Sequence, residues 1–468
     1  MSLKSRQFIS GVVEGFYGRP WSAGQRRQLF GWLHTWGMNT YLYAPKDDLK
    51  HRTCWRELYT PAEMADLKRL IQDCHAQKLN FVYALAPGLD PHYGSQSGLA
   101  DLFEKARQLI GLGCTRFALL FDDIVPSAPG VQPRPSAAMA AEQCRVALIF
   151  LSFLREESSG PALWFCPTPY CGRMAGPVKR SDYLQELGQS LDPSIQFLWT
   201  GPEIISETIP VESIRELRSV IHRKPLLWDN LHANDYDMRR LYLGPYAGRS
   251  LELRDEVSGI LSNPNCEFEA NFVPLRTLGL FAQAQSKWQP REAYLAALRE
   301  WLPAWPMAPS PAGASPSADR ITLHDLELLG DSFYLPYGLG HRGASLLAEF
   351  QHLLQTPPAA WGKHYSKFLA ECLAINILFE KMTALRNRDL LHTFYRHVWE
   401  LKEEAHLLTS YLHWLRSKPH SKKAFVSGDH RPKIYRGGLV SALQRVLIMD
   451  EAGAFTHQPL DPNPNLFS

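Results

Sequence analysis

Two adjacent carboxylates are the residues of this sequence best placed to do chemistry. The apolar run RFALLF at 116–121 stops at Asp122 and Asp123. Such a run predicts a strand buried on both faces, within which unpaired carboxylates would be too costly. We therefore expect the pair at the carboxyl end of a strand, where neighbouring acids favour opposite protonation states suited to acid–base catalysis. Taken alone, an Asp-Asp pair at a strand end more often caps the next turn, and the rest of the sequence decides between the two interpretations.

Polar and aromatic side chains follow most of the other predicted strands. They are Gly15, Lys46, Tyr170, Trp228, Asn230 and Asp235, while Asn263 comes just before the segment predicted as the last strand. Each could be a turn, surface or core residue by itself. We expect them to collect at one mouth of the fold, with no comparable set at the opposite mouth. Carboxylates, amides, a lysine, a tyrosine and a tryptophan suit a polyhydroxylated ligand such as a sugar.

Short apolar runs alternate with helical segments and would position these side chains. The runs lie at 12–17, 40–44, 80–86, 116–121, 163–166, 195–199, 226–228 and 268–272. Capping boxes begin the helices after the first two runs, from Ser22 with Gln25 and from Thr60 with Glu63. Eight such repeats predict a (β/α)8 TIM barrel over residues 1–300. A doubly wound sheet is the alternative, but no glycine-rich dinucleotide turn follows the first run.

The remaining sequence predicts a linker and an all-α domain. Residues 301–320 are rich in proline, alanine and serine, a composition typical of an extended linker. Residues 321–460 show helical periodicity and no strand signal, so we predict an α-helical bundle with a surface that could self-associate. Its helices are expected at 323–331, 343–354, 361–382, 388–402 and 405–415, with a frayed tail beyond 461.

The composition argues against several classes of partner. The 468 residues imply two or three domains, and 50 basic against 47 acidic residues give a net charge of only +3. No basic run is interleaved with aromatics, so nucleic-acid binding is not expected. We find no apolar run long enough for a bilayer and no secretory signal at the N-terminus, so no membrane association is expected.

The cysteines and acids give no sign of a disulfide framework or a metal site. Eight cysteines are scattered without a C-x-x-C pair, which favours a reducing, intracellular compartment. The acids at 229–237 lack the central glycine and terminal glutamate of an EF-hand, and the histidines lack metal-ligand spacing. No P-loop or G-x-S-x-G elbow is present, so neither a metal nor another cofactor is expected.

Several long motifs resemble the protein O-GlcNAcases, in particular the animal-type members of glycoside hydrolase family 84. They are GVVEGFYGRPW at 11–21, NTYLYAPKDD at 39–48, ALLFDD at 118–123, LWDNLHANDYD at 227–237 and NPNCEFEAN at 263–271. FYLPY at 333–337 and YRGGL at 435–439 look like the helical stalk of that family. The chain is shorter than the animal enzyme, which carries an acetyltransferase-like domain and a longer insert.

The resemblance implies substrate-assisted hydrolysis of β-linked N-acetylglucosamine, in which the sugar's own acetamido oxygen attacks the anomeric carbon and forms an oxazoline. Asp122 would accept a hydrogen bond from the acetamido N–H, and Asp123 would act as acid and then as base. Tyr170 and Asn230 would hold the acetamido group. The sugar hydroxyls would be bound by the Gly15 backbone, Lys46, Asp235 and Asn263, and Trp228 would wall the pocket.

The resemblance also implies O-GlcNAc-modified proteins or glycopeptides as substrates and a homodimer formed through the stalk. With the absence of a secretion signal, it suggests a cytoplasmic or nuclear location. Two alternatives stay open: a hexosaminidase or hyaluronidase-like enzyme acting on glycans, and a non-catalytic glycan-binding scaffold.

Overall fold

The fold is described from a computed structural model of the chain. It describes residues 7–124, 135–237, 239–308, 320–417, 424–427 and 437–458. Within these residues the chain forms two compact units. The first contains the described residues up to Asp235, with Tyr246–Phe268 and Leu275–Gln289; the second contains Tyr236–Pro245, Glu269–Pro274 and those from Pro290 onward.

The first unit is built on a closed barrel of eight parallel strands in sequential order. They are β1 (Ile9–Glu14), β2 (Thr40–Tyr43), β3 (Asn80–Leu85), β4 (Arg116–Leu120), β5 (Ala162–Cys166), β6 (Gln196–Trp199), β7 (Pro225–Asp229) and β8 (Gly259–Ser262). Pairing of β1 with β8, from Ile9 opposite Gly259 to Val12 opposite Ser262, closes the sheet. The predicted TIM barrel is therefore confirmed.

Helices follow the strands along the chain. The first ten are α1 (Ala23–Thr35), α2 (Pro61–Ala76), α3 (Gln96–Ile110), α4 (Ala137–Glu157), α5 (Gly172–Ala175), α6 (Asp182–Ser190), α7 (Val211–Ile221), α8 (Leu253–Glu256), α9 (Phe272–Gln283) and α10 (Pro290–Trp301). Single 3-10 turns occur at Pro87–Leu89, Val178–Arg180, Phe268–Asn271, Leu302–Ala304 and Pro358–Ala360.

Both predicted capping boxes are present. The Ser22 side chain accepts a hydrogen bond from the Gln25 backbone N–H, and the Gln25 side chain accepts one from the Ser22 backbone N–H. Thr60 and Glu63 form the same pair of hydrogen bonds, and Pro61 lies in the first turn of that helix. Each box satisfies two backbone donors that a helix N-terminus leaves open, and a cap of this kind contributes about 1 kcal/mol. The boxes therefore fix where the first two crossover helices begin.

The eighth strand is not where the sequence pattern placed it. The sequence pattern predicts the strand at residues 268–272, but these residues form a 3-10 turn and the start of α9, whereas β8 is Gly259–Ser262. A side chain at Gly259 would lie 2.1 Å from the Ile9 carbonyl oxygen, so closure of the barrel requires glycine there. Asn263 consequently follows the last strand at its carboxyl end instead of preceding it.

The barrel interior is packed with small and branched apolar residues. Inward-facing side chains form one buried cluster: Val13, Leu42, Ala44, Val82, Ala84, Ala86, Ala118, Leu120, Trp164, Cys166, Leu198, Leu226, Trp228 and Leu261. Because the interior is filled, the polar residues that extend each strand lie at its ends. The register then brings particular ends together, for example Leu120 opposite Cys166 and Asp229 opposite Ser262.

Helix α4 is unusually apolar for a barrel helix. It is the one helix in the described part of the chain long and apolar enough to cross a membrane, and half of its most apolar stretch is buried within the fold. This differs from the sequence-based prediction that no such run is present. Its Phe150 packs edge-on against Phe117 of β4, with ring centres 5.9 Å apart. Packing within the fold accounts for the buried half of this stretch.

The opposite mouth of the barrel also carries polar residues, contrary to the sequence-based expectation. Residues at the amino ends of the strands line a cavity of about 1000 Å³ there, among them Thr40, Asn80, Arg116 and Gln196. Clustering of polar residues alone therefore does not identify the functional mouth. The acid pair at the end of β4 does.

The second unit is mainly helical. Its long helices are α11 (Leu323–Ser332), α12 (His341–Gln355), α13 (Gly362–Thr383) and α14 (Arg388–Ser417), followed by α15 (Gly438–Val446). They bury a cluster of leucine, phenylalanine and tryptophan side chains around Phe350, Phe368 and Phe394. The described residues also include a small antiparallel sheet that the sequence did not predict: β9 (Phe425–Val426), β10 (Leu447–Met449) and β11 (Ala454–His457).

Two boundaries in this half differ from the prediction. Helix α10, expected in the barrel domain, groups with the second unit, where Trp301 stacks on Phe272 and meets Phe394. The segments 388–402 and 405–415 form one helix, in which Glu404 is buried and accepts a hydrogen bond from Gln444 of α15 at 3.1 Å. Most of the predicted linker (309–319), part of the YRGGL motif (435–436) and the tail beyond 461 lie outside the described residues.

Candidate active site

Asp122 lies directly beyond β4 and is held from one side only. Its Oδ2 pairs with the Lys46 ammonium at 2.7 Å and lies 3.9 Å from a guanidinium nitrogen of Arg52. Its Oδ1 is buried and has no hydrogen-bond partner. Since a buried carboxylate oxygen without a partner is costly, Oδ1 is the acceptor that a bound ligand would satisfy.

The surroundings of Asp122 favour its charged form. Burial by itself would raise the pKa of this carboxyl, but the charges of Lys46 and Arg52 and the hydrogen bond from Lys46 outweigh it. The pKa of Asp122 therefore lies below its usual value. Asp122 is an anion at neutral pH, as acceptance of an N–H hydrogen bond requires.

Asp123 has a different environment although it is the next residue. Its two carboxylate oxygens accept hydrogen bonds from the hydroxyls of Tyr17 and Tyr170, each at 3.1 Å. Among the described residues, no lysine or arginine nitrogen pairs with this carboxylate. Its backbone has φ of 50°, in the left-handed region that residues other than glycine rarely adopt. The two adjacent carboxylates therefore have different partners, cations for Asp122 and tyrosine hydroxyls for Asp123.

The Lys46 side chain reaches Asp122 from the loop after β2, next to two aromatic rings. Its ammonium lies 5.7 Å from the centre of the Tyr17 ring and 6.0 Å from that of Trp228. Trp228 in turn packs on Gly15, where an added Cβ would lie 2.3 Å from its Cζ2 atom. The predicted residues Gly15, Lys46 and Trp228 thus occupy one wall beside the acid pair.

The ends of β7 and β8 supply the amides. The register of Asp229 opposite Ser262 makes Asn230 and Asn263 neighbours, and Nδ2 of Asn263 donates to Oδ1 of Asn230 at 3.0 Å. Asn230 donates to the Ile204 carbonyl at 2.9 Å, which fixes its orientation. The Oδ1 atom of Asn263 is buried and has no partner, so it is a second free acceptor at this mouth.

Asp235 joins the β7 loop to the β1 loop. Its Oδ2 accepts a hydrogen bond from the Tyr17 backbone at 2.8 Å. Burial raises the pKa of its carboxyl above the usual value. Asp235 therefore lies on the same side of the mouth as Tyr17, whose hydroxyl contacts Asp123. All nine residues selected from the sequence therefore lie at the carboxyl ends of strands β1, β2, β4, β5, β7 and β8. The hydrogen bonds and ring contacts of Tyr17 connect five of them: Asp122, Asp123, Lys46, Tyr170 and Asp235.

Sequence reasoning missed two residues that touch the acid pair. Tyr17 lies within the β1 motif but is not singled out by the sequence pattern. Burial together with the charge of Asp123 raises the pKa of the Tyr17 hydroxyl. Arg52 lies well beyond the end of β2, so strand-end reasoning had no reason to select it. The charged segment 46–56 was a signal that this loop carries more than Lys46.

The described residues contain no group of three or more histidine, cysteine, aspartate or glutamate side chains that could hold a metal ion. The acids of the β7 loop are engaged elsewhere: Asp229 pairs with Arg249 at 2.7 Å, and Asp237 pairs with Arg239 at 2.7 Å. The arrangement at the mouth is one of an anion, a second acid and two amide side chains, one of which has a free acceptor oxygen. Such an arrangement can orient a polar ligand and exchange a proton with it.

Comparison with known proteins gives a consistent result. A family model described as beta-N-acetylglucosaminidase matches residues 10–308. Protein O-GlcNAcase from Rattus norvegicus and that from Mus musculus are each 30% identical to this chain over 99% of this chain and 72% of the relative. A solved mutant of the Thermobaculum terrenum O-GlcNAc hydrolase matches with a TM-score of 0.74 and 26% identity, covering 89% of this chain and 86% of that one.

Proposed function

This chain belongs to the β-N-acetylglucosaminidase family that includes protein O-GlcNAcase, and we propose that it removes β-linked N-acetylglucosamine from serine and threonine residues of proteins. The observation that carries the assignment of roles is the contrast between two adjacent acids. Asp122 is paired with cations and has one free oxygen, and Asp123 is held by two tyrosine hydroxyls.

Asp122 orients the nucleophile. The free Oδ1 of this anion accepts a hydrogen bond from the acetamido N–H of the substrate, which turns the acetamido oxygen toward the anomeric carbon. Attack by that oxygen breaks the glycosidic bond and forms an oxazoline, so the protein supplies no covalent nucleophile, unlike the usual pair of retaining glycosidases. The negative charge of Asp122 also stabilises the positive charge that develops on the ring.

Asp123 moves the proton. It protonates the departing serine or threonine oxygen while the oxazoline forms. It then removes a proton from the water that attacks the anomeric carbon and opens the oxazoline ring. The net result is hydrolysis with retention of the β configuration. The hydroxyls of Tyr17 and Tyr170 fix its carboxyl between these two steps.

The remaining residues bind the sugar. Tyr170 and Asn230 hold the acetamido group, and Lys46, Asp235, Asn263 and the Gly15 backbone bind the hydroxyls. The unpartnered Oδ1 of Asn263 supports a hydroxyl there, since it accepts a hydrogen bond from no protein group. The indole of Trp228 provides the apolar wall on which the face of a pyranose ring packs.

Substitution of each acid tests these roles. With an aryl β-N-acetylglucosaminide as substrate, Asp123→Asn and Asp122→Asn should each lower kcat at least about a hundredfold while sugar binding persists. Asp47→Asn, which changes an exposed acid of the β2 loop, is the matched control and should match wild type. A wild-type protein that binds the sugar but never hydrolyses it would instead be a glycan-binding scaffold.

We propose further that the protein is a homodimer formed through its helical unit. The exposed apolar side chains Leu373 and Ile377 of α13 and Trp399 of α14 support this, being 59%, 39% and 48% exposed. We also propose a cytoplasmic or nuclear location. The eight free cysteines support it, because thiols persist in reducing compartments.

A further inference from the structure

The loop after β2 brings a second cation, Arg52, to the acid pair. One guanidinium nitrogen of Arg52, Nη1, lies 3.9 Å from Oδ2 of Asp122, and the other, Nη2, donates to the backbone carbonyl of Asp123 at 3.1 Å. The side chain is only 6% exposed. Nη1 is buried and makes no hydrogen bond, so its interaction with Asp122 is purely electrostatic. One side chain therefore acts on the charge of one acid and on the main chain of the other.

The position of Arg52 is fixed by its neighbour in the sequence. His51 is pinned to the end of β3 on two sides: its Nδ1 lies 2.6 Å from the Ala84 carbonyl oxygen, and its own carbonyl accepts from the Ala86 backbone at 3.0 Å. The Arg52 backbone donates to the Leu49 carbonyl at 3.2 Å. The guanidinium therefore starts from a rigid support at the barrel rim.

The contact with the Asp123 carbonyl falls at the one strained residue of the site. A left-handed backbone at a residue other than glycine costs on the order of 1 kcal/mol or more and persists only where surrounding contacts impose it. The hydrogen bond from Arg52 satisfies the carbonyl in that conformation. The direction of the Asp123 carboxyl therefore depends on Arg52.

The charge of Asp122 depends on few other groups. The titratable groups that face it besides Arg52 are Tyr17, Lys46, His51, Asp123, Cys166 and Tyr170. Burial raises the pKa of both tyrosines and of the thiol, so these are neutral at pH 7. Burial and the charge of Lys46 lower the pKa of His51 to about 4, so it is neutral as well. Among these groups only Lys46 and Arg52 are cations.

We propose that Arg52 is a positioning residue for the hydrolysis, which keeps Asp122 anionic through its charge and aims Asp123 through the carbonyl hydrogen bond. The inference rests on the function proposed above. The two cations of the loop then have different roles: Lys46 contacts Asp122 directly, whereas Arg52 acts on Asp122 through its charge and on Asp123 through the carbonyl.

The pH dependence of kcat/KM distinguishes this role from a purely structural one. The acidic limb reports the ionisation of Asp122 in the free enzyme, and loss of a nearby cation raises the pKa of a carboxyl. In Arg52→Gln the acidic limb should move to higher pH by about one unit, and kcat should fall about tenfold. Arg52→Lys should keep the limb near its wild-type position and still lose kcat, because an ammonium cannot keep the charge beside Asp122 and also donate to the Asp123 carbonyl with the geometry of the guanidinium.

Arg56→Gln is the matched control, since Arg56 lies in the same loop but pairs with Asp90 and Asp101. Arg56→Gln should leave the acidic limb of the kcat/KM profile and the value of kcat unchanged. If Arg52→Gln does not fold, Arg52→Met removes the same charge and gives the same test. An acidic limb that stays at its wild-type pH in the uncharged variants overturns the inference, even if their melting temperature falls. A wild type without hydrolytic activity would refute the proposed function instead.

Discussion

Gly15 shows how a single residue without a side chain shapes the sugar pocket. It lies at the carboxyl end of β1, directly under the indole of Trp228, and a methyl group there would overlap the ring. Neither residue can change size without moving the other, because the barrel interior beneath them is filled. The shape of this wall of the pocket therefore depends on both residues: the large side chain of Trp228 and the lack of a side chain at Gly15.

We predict that Gly15→Ala displaces Trp228 and lowers kcat/KM about tenfold or more, mainly through KM. Overpacking of this kind costs about 1–3 kcal/mol, which sets the size of the effect. Steady-state kinetics on an aryl β-N-acetylglucosaminide would measure it. Gly31→Ala on α1 is the control: its added methyl meets nothing within 4 Å, so it should leave the kinetics unchanged. Wild-type KM in Gly15→Ala would show that the indole does not contact the sugar.

At this scale the sequence predicted the residue types well and their contacts poorly. Asp122 and Asp123 were recognisable because two acids cannot remain inside an apolar strand. Their different partners were not, since Lys46 and Arg52 come from another strand's loop and only the barrel register places them beside the pair. The left-handed turn at Asp123 has no signature in the sequence, because glycine is absent there.

At the scale of elements, the end of β7 depends on a buried ion pair. Asp229 accepts hydrogen bonds from the Arg249 guanidinium at 2.7 and 2.8 Å and from the Tyr246 hydroxyl at 2.7 Å. Both charged side chains are at most 1% exposed. The pair anchors the strand end from which Asn230 and Asp235 extend, so it is structural although it lies next to the site.

We predict that Asp229→Asn lowers the free energy of unfolding by about 3–5 kcal/mol, because it leaves the Arg249 charge buried without a counterion. Urea denaturation at pH 7 would measure the loss. The exposed pair of Asp66 with Arg69 on α2 gives the control, and Asp66→Asn should change stability by less than about 0.5 kcal/mol. Equal effects of the two substitutions would contradict a structural role for the buried pair.

The errors in predicting elements have specific physical causes. β8 is only four residues long and begins with a glycine, whereas Phe268, Ala270 and Phe272 alternate with polar residues as in a half-buried strand. The α14 helix looked interrupted at two adjacent glutamates, but a glutamine from α15 satisfies one of them in the interior. In both cases the deciding partner lies far away in the sequence, where periodicity cannot reveal it.

At the scale of the whole molecule, the helical unit leaves apolar side chains in solvent that its own core does not use. Trp399 packs edge-on against Phe379, with ring centres 5.2 Å apart, yet about half of it is exposed. Exposed apolar side chains favour association where they adjoin one another, and Leu373 and Ile377 lie one turn apart on α13. The proposed homodimer would bury them.

We predict that light scattering of the wild type gives twice the chain mass of 53.1 kDa, and that Trp399→Glu shifts the protein toward the monomer. Leu148→Glu, at an exposed apolar position on α4, should leave the mass unchanged. A wild type that stays monomeric at micromolar concentration would exclude the proposed dimer.

The central claim is that the substrate's own acetamido group performs the attack while Asp122 orients it and Asp123 transfers the proton. The most direct test compares wild-type kcat/KM on two aryl β-glycosides that differ only at C2, one with an acetamido group and one with a hydroxyl. We predict a preference of at least about a thousandfold for the acetamido substrate, because an intramolecular nucleophile is lost with that group. Equal hydrolysis of the two glycosides would contradict the account.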